Sequence, residues 1–126
     1  MDDELYHQTR VAIKTVRNHL RWRPGKAQTH LARRREYGHI PTTATLSSYE
    51  TVISSIVWNG SANVYLYRWK ETATYIAVVG VFEDKEWLVM FGLDGIMETA
   101  FPPTDPKKYL SDTRFVFLGT LQEIIR

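Results

Sequence analysis

The chain has 126 residues, a formal net charge of +2 at pH 7 and an ordinary globular composition with 44% hydrophobic residues. Residues 1–126 therefore fit one domain with a single core. Cysteine is absent, which excludes disulfide frameworks, thiolate zinc sites and cysteine catalysis. No apolar run reaches the roughly 18 residues of a membrane span, and the acidic N-terminus does not resemble a signal peptide. We therefore expect a cytoplasmic protein with no membrane partner.

The first helix is predicted to begin with Asp2 or Asp3 as its cap and to end by Arg23. Pro24 disfavours helical geometry in the residue before it, and Gly25 follows. Residues at helical spacing form the apolar stripe of this helix. They are Leu5, Thr9, Ala12, Ile13, Val16 and Leu20.

A second helix is predicted over residues 26–37, with Gly38 just past its end, where positive φ is cheap for glycine. Leu31 and Tyr37 are expected to dock this helix onto the core. Side chains three and four positions apart share a helix face. The residues that form one such stripe are Lys26, His30, Arg33 and Arg34. An imidazole flanked by fixed cations suits a phosphate ligand, although a solvated basic helix has the same composition.

Charge is distributed unevenly along the chain. Residues 1–40 contain nine Lys or Arg against four acids, a net charge of +5, and all four histidines. The remaining residues contain seven basic and ten acidic groups, a net charge of −3. This asymmetry predicts a basic N-terminal surface for an anion, carried by a scaffold from the rest of the chain.

After the loop that follows Gly38, Ser47 and Glu50 have the spacing of a capping box for a third helix that ends near Val57. Strand patterns then replace helical ones. The predicted strands are residues 63–69, 74–82, 86–91, 96–101 and 114–118, with residues 104–112 as a loop and 122–126 unassigned. The predicted fold class is α+β, with about three N-terminal helices packed on an antiparallel sheet of four to five strands.

Common catalytic patterns are missing from the sequence. No two histidines have the four-residue spacing of a helical zinc site, the acids are scattered, and no glycine-rich phosphate loop is present. We therefore expect no metal and no cofactor. On the strand at 96–101, Thr99 and Phe101 point to the same side. A hydroxyl and an aromatic ring on one sheet face can bind a phosphate and stack a base.

Together these segments resemble a known family. A helix histidine and an arginine-rich turn precede Tyr-Gly-His-Ile at 37–40, Asp-Gly at 94–95 and Thr-Ala-Phe at 99–101. This order is similar to the barnase, EndoU, colicin D and RelE-like (BECR) superfamily, above all its phage-associated and toxin branches, over roughly residues 28–109. Three consecutive arginines depart from the family, whose members usually show fewer cations at this place.

The resemblance implies a small metal-independent endoribonuclease that cuts tRNA or mRNA and is often a toxin with an inhibitor protein as partner. The RNA 2′-hydroxyl would attack the adjacent phosphorus and leave a 2′,3′-cyclic phosphate. The implied catalytic residues are His30 as acid or base, Arg33 and Arg34 as phosphate-binding cations, and Thr99 as a hydrogen-bond donor. The implied substrate-binding residues are Lys26, His39, Tyr65, Tyr67 and Phe101. A second acid–base is not fixed, and His39, Tyr65 and Tyr67 are its candidates.

Two other classes of function fit the same residues. One is a nucleic-acid or phosphate-ligand binding module that keeps the fold and surface without catalysis. The other is a protein-interaction domain whose basic helix meets an acidic partner. If the phosphate-site reading is right, His30 and at least one of Arg33 and Arg34 open into the same groove as Thr99.

Overall fold

The computed structural model describes residues 3–71 and 73–126, so the alternative cap Asp2 lies outside the described residues. Within this part of the chain there are five helices and six strands. The helices are α1 Asp3–Asn18, α2 Lys26–Glu36, α3 Leu46–Val57, α4 Pro106–Tyr109 and α5 Leu121–Ile125. The strands are β1 Arg21–Trp22, β2 Asn63–Lys70, β3 Ala73–Phe82, β4 Lys85–Gly92, β5 Ile96–Phe101 and β6 Phe115–Thr120. In the described residues, no helix is long and apolar enough to cross a membrane.

All six strands form one sheet in the order β1-β5-β4-β3-β2-β6. The pairs among β2 to β6 are antiparallel, whereas β1 runs parallel to β5. The α+β class is therefore confirmed, but the expected antiparallel sheet of four to five strands is wrong. The additional strand, β1, has only two residues, which is too short for an alternating pattern to be seen in the sequence.

One face of the sheet is covered by helices. α3 packs on β3 and β4, and α1 packs on α3. The predicted stripe of α1 is largely confirmed, because Thr9, Ala12, Ile13 and Val16 are its buried residues. Four buried residues on the opposite face, Ala77, Val79, Leu88 and Met90, form a second and smaller apolar cluster. We call this opposite side of the sheet the outer face.

The first helix ends before Arg23, as predicted, but Leu20 of its predicted stripe lies beyond its last turn. α1 stops at Asn18, and Arg21 and Trp22 pair with Ile96 and Met97 of β5. The indole Nε1 of Trp22 also donates to the Glu50 carboxylate at 2.9 Å. Strand pairing and the hydrogen bond from Trp22 to Glu50 stabilise the extended conformation of residues 21–22. These tertiary contacts override the helical pattern.

The second helix lies beside β5 and also touches α3. Its predicted end is confirmed, since the helix finishes at Glu36 and Gly38 has φ of 72°. Leu31 is buried in the core as expected. Tyr37 is exposed, so the expectation that it docks the helix onto the core is wrong.

The cap of the third helix lies two residues before the predicted cap, Ser47. Thr45 is the cap: its hydroxyl accepts from the Ser48 N–H, and the Ser48 hydroxyl accepts from the Thr45 N–H. Ser47 is therefore inside the first turn, and Glu50 binds Trp22 instead. In this capping box a serine takes the place of the usual glutamate at the third position, so the Ser-to-Glu spacing did not indicate it.

Two short C-terminal helices were not predicted. α4 forms inside the expected loop at 104–112, where Asp105 caps it and Pro106 is its first residue. α5 occupies the unassigned tail, and its capping box joins Thr120 to Glu123. β6 lies beside β2 at the far edge of the sheet, and the connection from β5 crosses the outer face, where Leu110 packs against the second cluster.

Replacing Thr45 with alanine is expected to lower the free energy of unfolding by about 1 kcal/mol, because two backbone or hydroxyl partners of the capping box are lost. Urea denaturation of the purified protein measures this difference. Ser47→Ala is the matched control and should change stability by less than about 0.5 kcal/mol. A greater loss at Ser47 than at Thr45 would contradict the observed cap.

Candidate functional site

The last part of β5 presents its chemistry to the outer face. Thr99 is paired with Met90, and Phe101 with Leu88, which both belong to the outer-face cluster. Ala100 between them is buried in the main core. The register is regular from Thr99 to Phe101, and the alternation of side chains along the strand sets these two on the same side of the sheet. The sequence prediction that these two side chains share a face is confirmed.

α2 brings its histidine against this strand. His30 Nδ1 lies 3.3 Å from Thr99 Oγ1, within hydrogen-bond reach. The imidazole is only 7% exposed, and its other face is stacked on Trp22 with ring centroids 6.2 Å apart. His30 Nε2 is buried and has no hydrogen-bond partner among the residues that the structure describes. The expected meeting of His30 with Thr99 is therefore confirmed.

Burial and neighbouring cations together favour the neutral form of His30. Burial is the largest cause that lowers its pKa below 6.5, followed by the charges of Lys26, Arg33 and Arg34. The backbone carbonyl of Glu98 opposes these effects. At neutral pH the imidazole is uncharged and can accept a proton.

The three consecutive arginines have three different environments. Arg34 is only 6% exposed, and its guanidinium lies over the Phe101 ring at 5.5 Å. Its Nε is buried without a hydrogen-bond partner in the described part of the chain. Arg35 is occupied, since its guanidinium donates to the Ala44 carbonyl. Arg33 is exposed and reaches His30 through its charge rather than through contact.

Two neighbouring depressions lie on the outer face. The smaller one, which we call the histidine cleft, has a volume of about 320 Å³ and is lined by Lys26, His30 and Thr99. The larger one, the arginine cleft, has a volume of about 970 Å³ and is lined by Arg34 and Phe101. Tyr67 and Tyr109 line both clefts and so form their common border.

The expected groove is therefore divided. Lys26 and His30 share the histidine cleft with Thr99, whereas Arg34 lies in the adjoining cleft beside Phe101, two residues further along β5. The charge of Arg34 still acts on His30. The expectation that His30 and Thr99 share a groove is confirmed. The expectation that an arginine opens into the same groove is wrong, because Arg34 lines the adjoining cleft.

The candidates for a second acid–base are separated by the fold. His39 lines the arginine cleft, and burial followed by the charge of Arg34 lowers its pKa below 6.5. Tyr67 lies at the border of both clefts. Tyr65 lines neither of them, and its ring packs against Phe117 on the side of β6. The structure thus brings His39 and Tyr67 to the site and leaves Tyr65 apart.

Several lining residues are absent from the sequence prediction. Tyr109 comes from α4, and its ring meets Phe101 edge to face at 5.5 Å. Lys108 and Arg114 add positive charge to the arginine cleft. Trp69 lines the histidine cleft and follows Tyr67 at strand spacing, a signal that was present in the sequence. The sequence of α4 does not indicate the contact between Tyr109 and Phe101, because it forms only when the segment between β5 and β6 crosses the sheet.

The acid nearest the histidine cleft has a structural partner. Glu98 lines this cleft, but its carboxylate accepts from Arg23 Nε at 2.7 Å. The same guanidinium binds Asp94 at 2.9 Å. Both contacts raise the pKa of Arg23. They also join the segment before α2 to the β4–β5 turn at Asp94 and to β5 at Glu98. Glu98 is therefore a positioning group for the helix that carries His30.

Comparison with known proteins gives no relative. No family model, no curated protein and no solved structure matches this chain. Among residues 3–71 and 73–126, no group of three or more His, Cys, Asp or Glu side chains could hold a metal ion.

The pKa of His30 is expected to lie below 6.5 in the folded protein and to rise when Arg33 is replaced by glutamine. Arg33 is exposed, so the substitution removes a nearby charge without opening the core. NMR titration of the histidine ring protons, assigned with a His30→Asn variant, measures both values. Arg33→Lys keeps the charge and serves as the control. An unchanged pKa in Arg33→Gln would contradict the electrostatic account.

The same shift has a stability consequence. Between 6.5 and the lower folded-state pKa, the unfolded chain binds a proton that folded His30 rejects. The stability contributed by neutral His30 is thus complete above pH 6.5 and is lost as the pH falls through the folded-state pKa. Wild type should lose more unfolding free energy between pH 7 and pH 5 than His30→Asn does.

Proposed function

We propose that this chain is a metal-independent endoribonuclease of the barnase, EndoU, colicin D and RelE-like superfamily. The observation that carries the proposal is the contact between His30 and Thr99 on the outer face, with cationic side chains on both sides of it. A proton acceptor, a hydroxyl donor and fixed cations are the groups that metal-free RNA cleavage requires.

The reaction is an intramolecular transesterification. The ribose 2′-oxygen forms a bond to phosphorus as its proton passes to a base, and the bond from phosphorus to the 5′-oxygen breaks as that oxygen takes a proton from an acid. The products are a 2′,3′-cyclic phosphate and a free 5′-hydroxyl. Since the pKa of His30 is lowered, the imidazole is neutral at physiological pH and suits the role of base.

The cations have distinct roles in this proposal. Lys26 lies in the histidine cleft, where its ammonium can meet a phosphate oxygen next to His30. Arg34 is held over Phe101 with an unpartnered Nε, so its guanidinium is fixed beside the place where negative charge develops. The Thr99 hydroxyl would donate to a phosphate oxygen. Arg33, being exposed, would attract RNA from solution rather than bind the scissile phosphate.

The proton donor for the 5′-oxygen would come from the arginine cleft. His39 and Tyr67 both line that cleft, which supports them over Tyr65. A bound phosphate would favour the protonated form of His39 because its negative charge opposes the effect of Arg34. His39 would then be the acid and His30 the base, each on one side of the border at Tyr67.

As a further part of the proposal, the substrate is tRNA or mRNA and the protein acts as a toxin. An inhibitor protein would then cover the two clefts, which contain the cations Lys26, Arg34, Lys108 and Arg114 and are lined with aromatic rings. A small acidic protein encoded beside this one, and its inhibition of cleavage, would support this assignment.

One observation favours a second function, a nucleic-acid or phosphate binding module without catalysis. His30 Nε2 is fully enclosed, and only the side of the ring near Thr99 borders the histidine cleft. Such an imidazole could serve to orient Thr99 for phosphate binding alone. The two functions differ in whether RNA is cut and in whether removal of His30 affects cutting or binding.

His30→Ala is expected to lower the rate of RNA cleavage by about 10²- to 10⁴-fold, because the proposed base is lost. The assay uses total tRNA and mRNA in EDTA, with identification of 2′,3′-cyclic phosphate and 5′-hydroxyl ends. His19→Ala is the matched control, since His19 is exposed and lines neither cleft. Cleavage by wild type should also decline as the pH falls through the His30 pKa.

RNA whose 2′-hydroxyls are methylated should bind but remain intact, since the nucleophile is blocked. Absence of cleavage across many RNAs would overturn the endoribonuclease. If His30→Ala then binds RNA as tightly as wild type, the binding module is the better account.

A further inference from the structure

We infer that Tyr67, Trp69 and Arg114 form a stacking platform for an unpaired nucleobase, so that the site takes single-stranded rather than duplex nucleic acid. This inference rests on the proposed function and names the substrate class of the same site. Trp69 lines the histidine cleft, Arg114 lines the arginine cleft, and Tyr67 lines both. We call them the stacking platform.

The two rings of the platform are already arranged for stacking. Tyr67 and Trp69 have ring centroids 6.4 Å apart and an angle of 24° between their planes. Trp69 is 50% exposed, although it lies within β2, one residue before the end of that strand. The pairing of β2 with β3 shifts register between Arg68 and Lys70, so Trp69 lies at an irregular place in the ladder. An exposed indole on an irregular strand end is costly in water and is suited to a flat apolar ligand.

Arg114 completes the platform with a cation. Its guanidinium carbon lies 5.4 Å from the centroid of Tyr67 and 5.4 Å from that of Trp69. An ion pair with Asp112 at 2.6 Å holds the guanidinium in this position. An arginine fixed beside aromatic rings is a frequent partner of bases in single-strand binding proteins, because it can stack on a base and meet the backbone as well.

The two rings of the platform and the proposed catalytic group line one cavity. Trp69 and Tyr67 line the histidine cleft together with Lys26 and His30. The cleft has a volume of only about 320 Å³, so a base on the platform and a phosphate at Lys26 would belong to the same or adjacent nucleotides. A base that is paired within a duplex keeps its faces covered by its neighbours in the helix and could not lie on these rings.

The chain contains a second exposed tryptophan that serves as a comparison. Trp58 follows α3, is 57% exposed and has Arg17 over its ring at 4.7 Å. Arg17 is held by the Val57 carbonyl, and neither residue lines the histidine or the arginine cleft. An aromatic ring with a cation is therefore present at both places, but only Trp69 has proposed phosphate-binding groups beside it.

The experiment measures binding rather than cleavage. A fluorescent 2′-O-methyl RNA of about eight nucleotides, within the usual site size of single-strand modules, is titrated by anisotropy against wild type, Trp69→Ala, Trp69→Phe and Trp58→Ala. The same oligonucleotide is tested as a duplex and with abasic positions. Circular dichroism melting confirms that each variant is folded.

If the platform binds an unpaired base, single strands should bind more tightly than duplex. Trp69→Ala should then weaken single-strand binding about tenfold. Trp69→Phe should restore most of the affinity, Trp58→Ala should leave it unchanged, and abasic RNA should bind wild type about as weakly as intact RNA binds Trp69→Ala. Equal affinity of wild type and Trp69→Ala for single strands would overturn the inference, as would tighter binding of duplex. Binding of a protein partner through Trp69, with no effect on RNA, would overturn it as well.

Failure of the inference and of the proposed function can be told apart. RNA cleavage that depends on His30 but not on Trp69 leaves the endoribonuclease and removes the platform. Single-strand binding that depends on Trp69, with no cleavage of any RNA, leaves the platform on a non-catalytic binding module. Loss of binding in Trp58→Ala to the same extent as in Trp69→Ala would show that exposed aromatic surface, not this site, is responsible.

Discussion

The parallel pairing of β1 with β5 is the constraint on which the site depends. Arg21 and Trp22 align with Ile96 and Met97, and the Arg23 N–H donates to the Met97 carbonyl at 3.3 Å. α2 begins only three residues later, at Lys26. The start of the helix is therefore fixed relative to β5, and its rise of about 1.5 Å per residue carries the histidine along the strand to Thr99. Together with the ion pairs of Arg23 to Asp94 and Glu98, this pairing sets the height at which α2 meets β5.

The main core and the two clefts lie on opposite faces of the sheet. Its inner face carries the main core under α1 and α3, whereas the outer face carries the two clefts. Three buried side-chain nitrogens in the described residues lack a hydrogen-bond partner, namely His30 Nε2, Arg34 Nε and His39 Nδ1. Each such group costs about 1–3 kcal/mol, and all three belong to residues 26–40. A fold selected for stability alone would have little reason to concentrate this cost in its most basic segment.

The sequence predicts whatever depends on a local period. The buried stripe of α1, the extent of α2, the glycine at its end, and the shared face of Thr99 and Phe101 follow from spacings of 3.6 and 2 residues. Contacts between distant segments do not follow. β1 has no detectable pattern, and Tyr109 reaches Phe101 only through the return of α4 across the sheet. The hydrogen bond from Arg35 to the Ala44 carbonyl, which occupies one of the three arginines, is equally invisible to a local period. The cap at Thr45 was missed for a chemical reason, since serine serves there in place of glutamate.

The geometry of the imidazole determines which of its nitrogens can act. Nδ1 is the atom near Thr99, whereas Nε2 is enclosed. For Nδ1 to accept a proton from a substrate, the neutral ring must carry its hydrogen on Nε2, where it is a buried donor with no acceptor among the described residues. In the free protein, the tautomer with its hydrogen on Nε2 has the higher energy, because it buries a donor without an acceptor. The tautomer with its hydrogen on Nδ1 leaves only an acceptor without a donor at Nε2. In the reactive tautomer Thr99 must donate to Nδ1, so its hydroxyl is turned away from a phosphate until the substrate arrives. An incoming 2′-hydroxyl would then take the place of Thr99 as donor to Nδ1 and free Thr99 to donate to the phosphate. Under the proposed function, substrate binding and orientation of the threonine would thus be one event, and the contact between His30 and Thr99 would prepare both side chains for it.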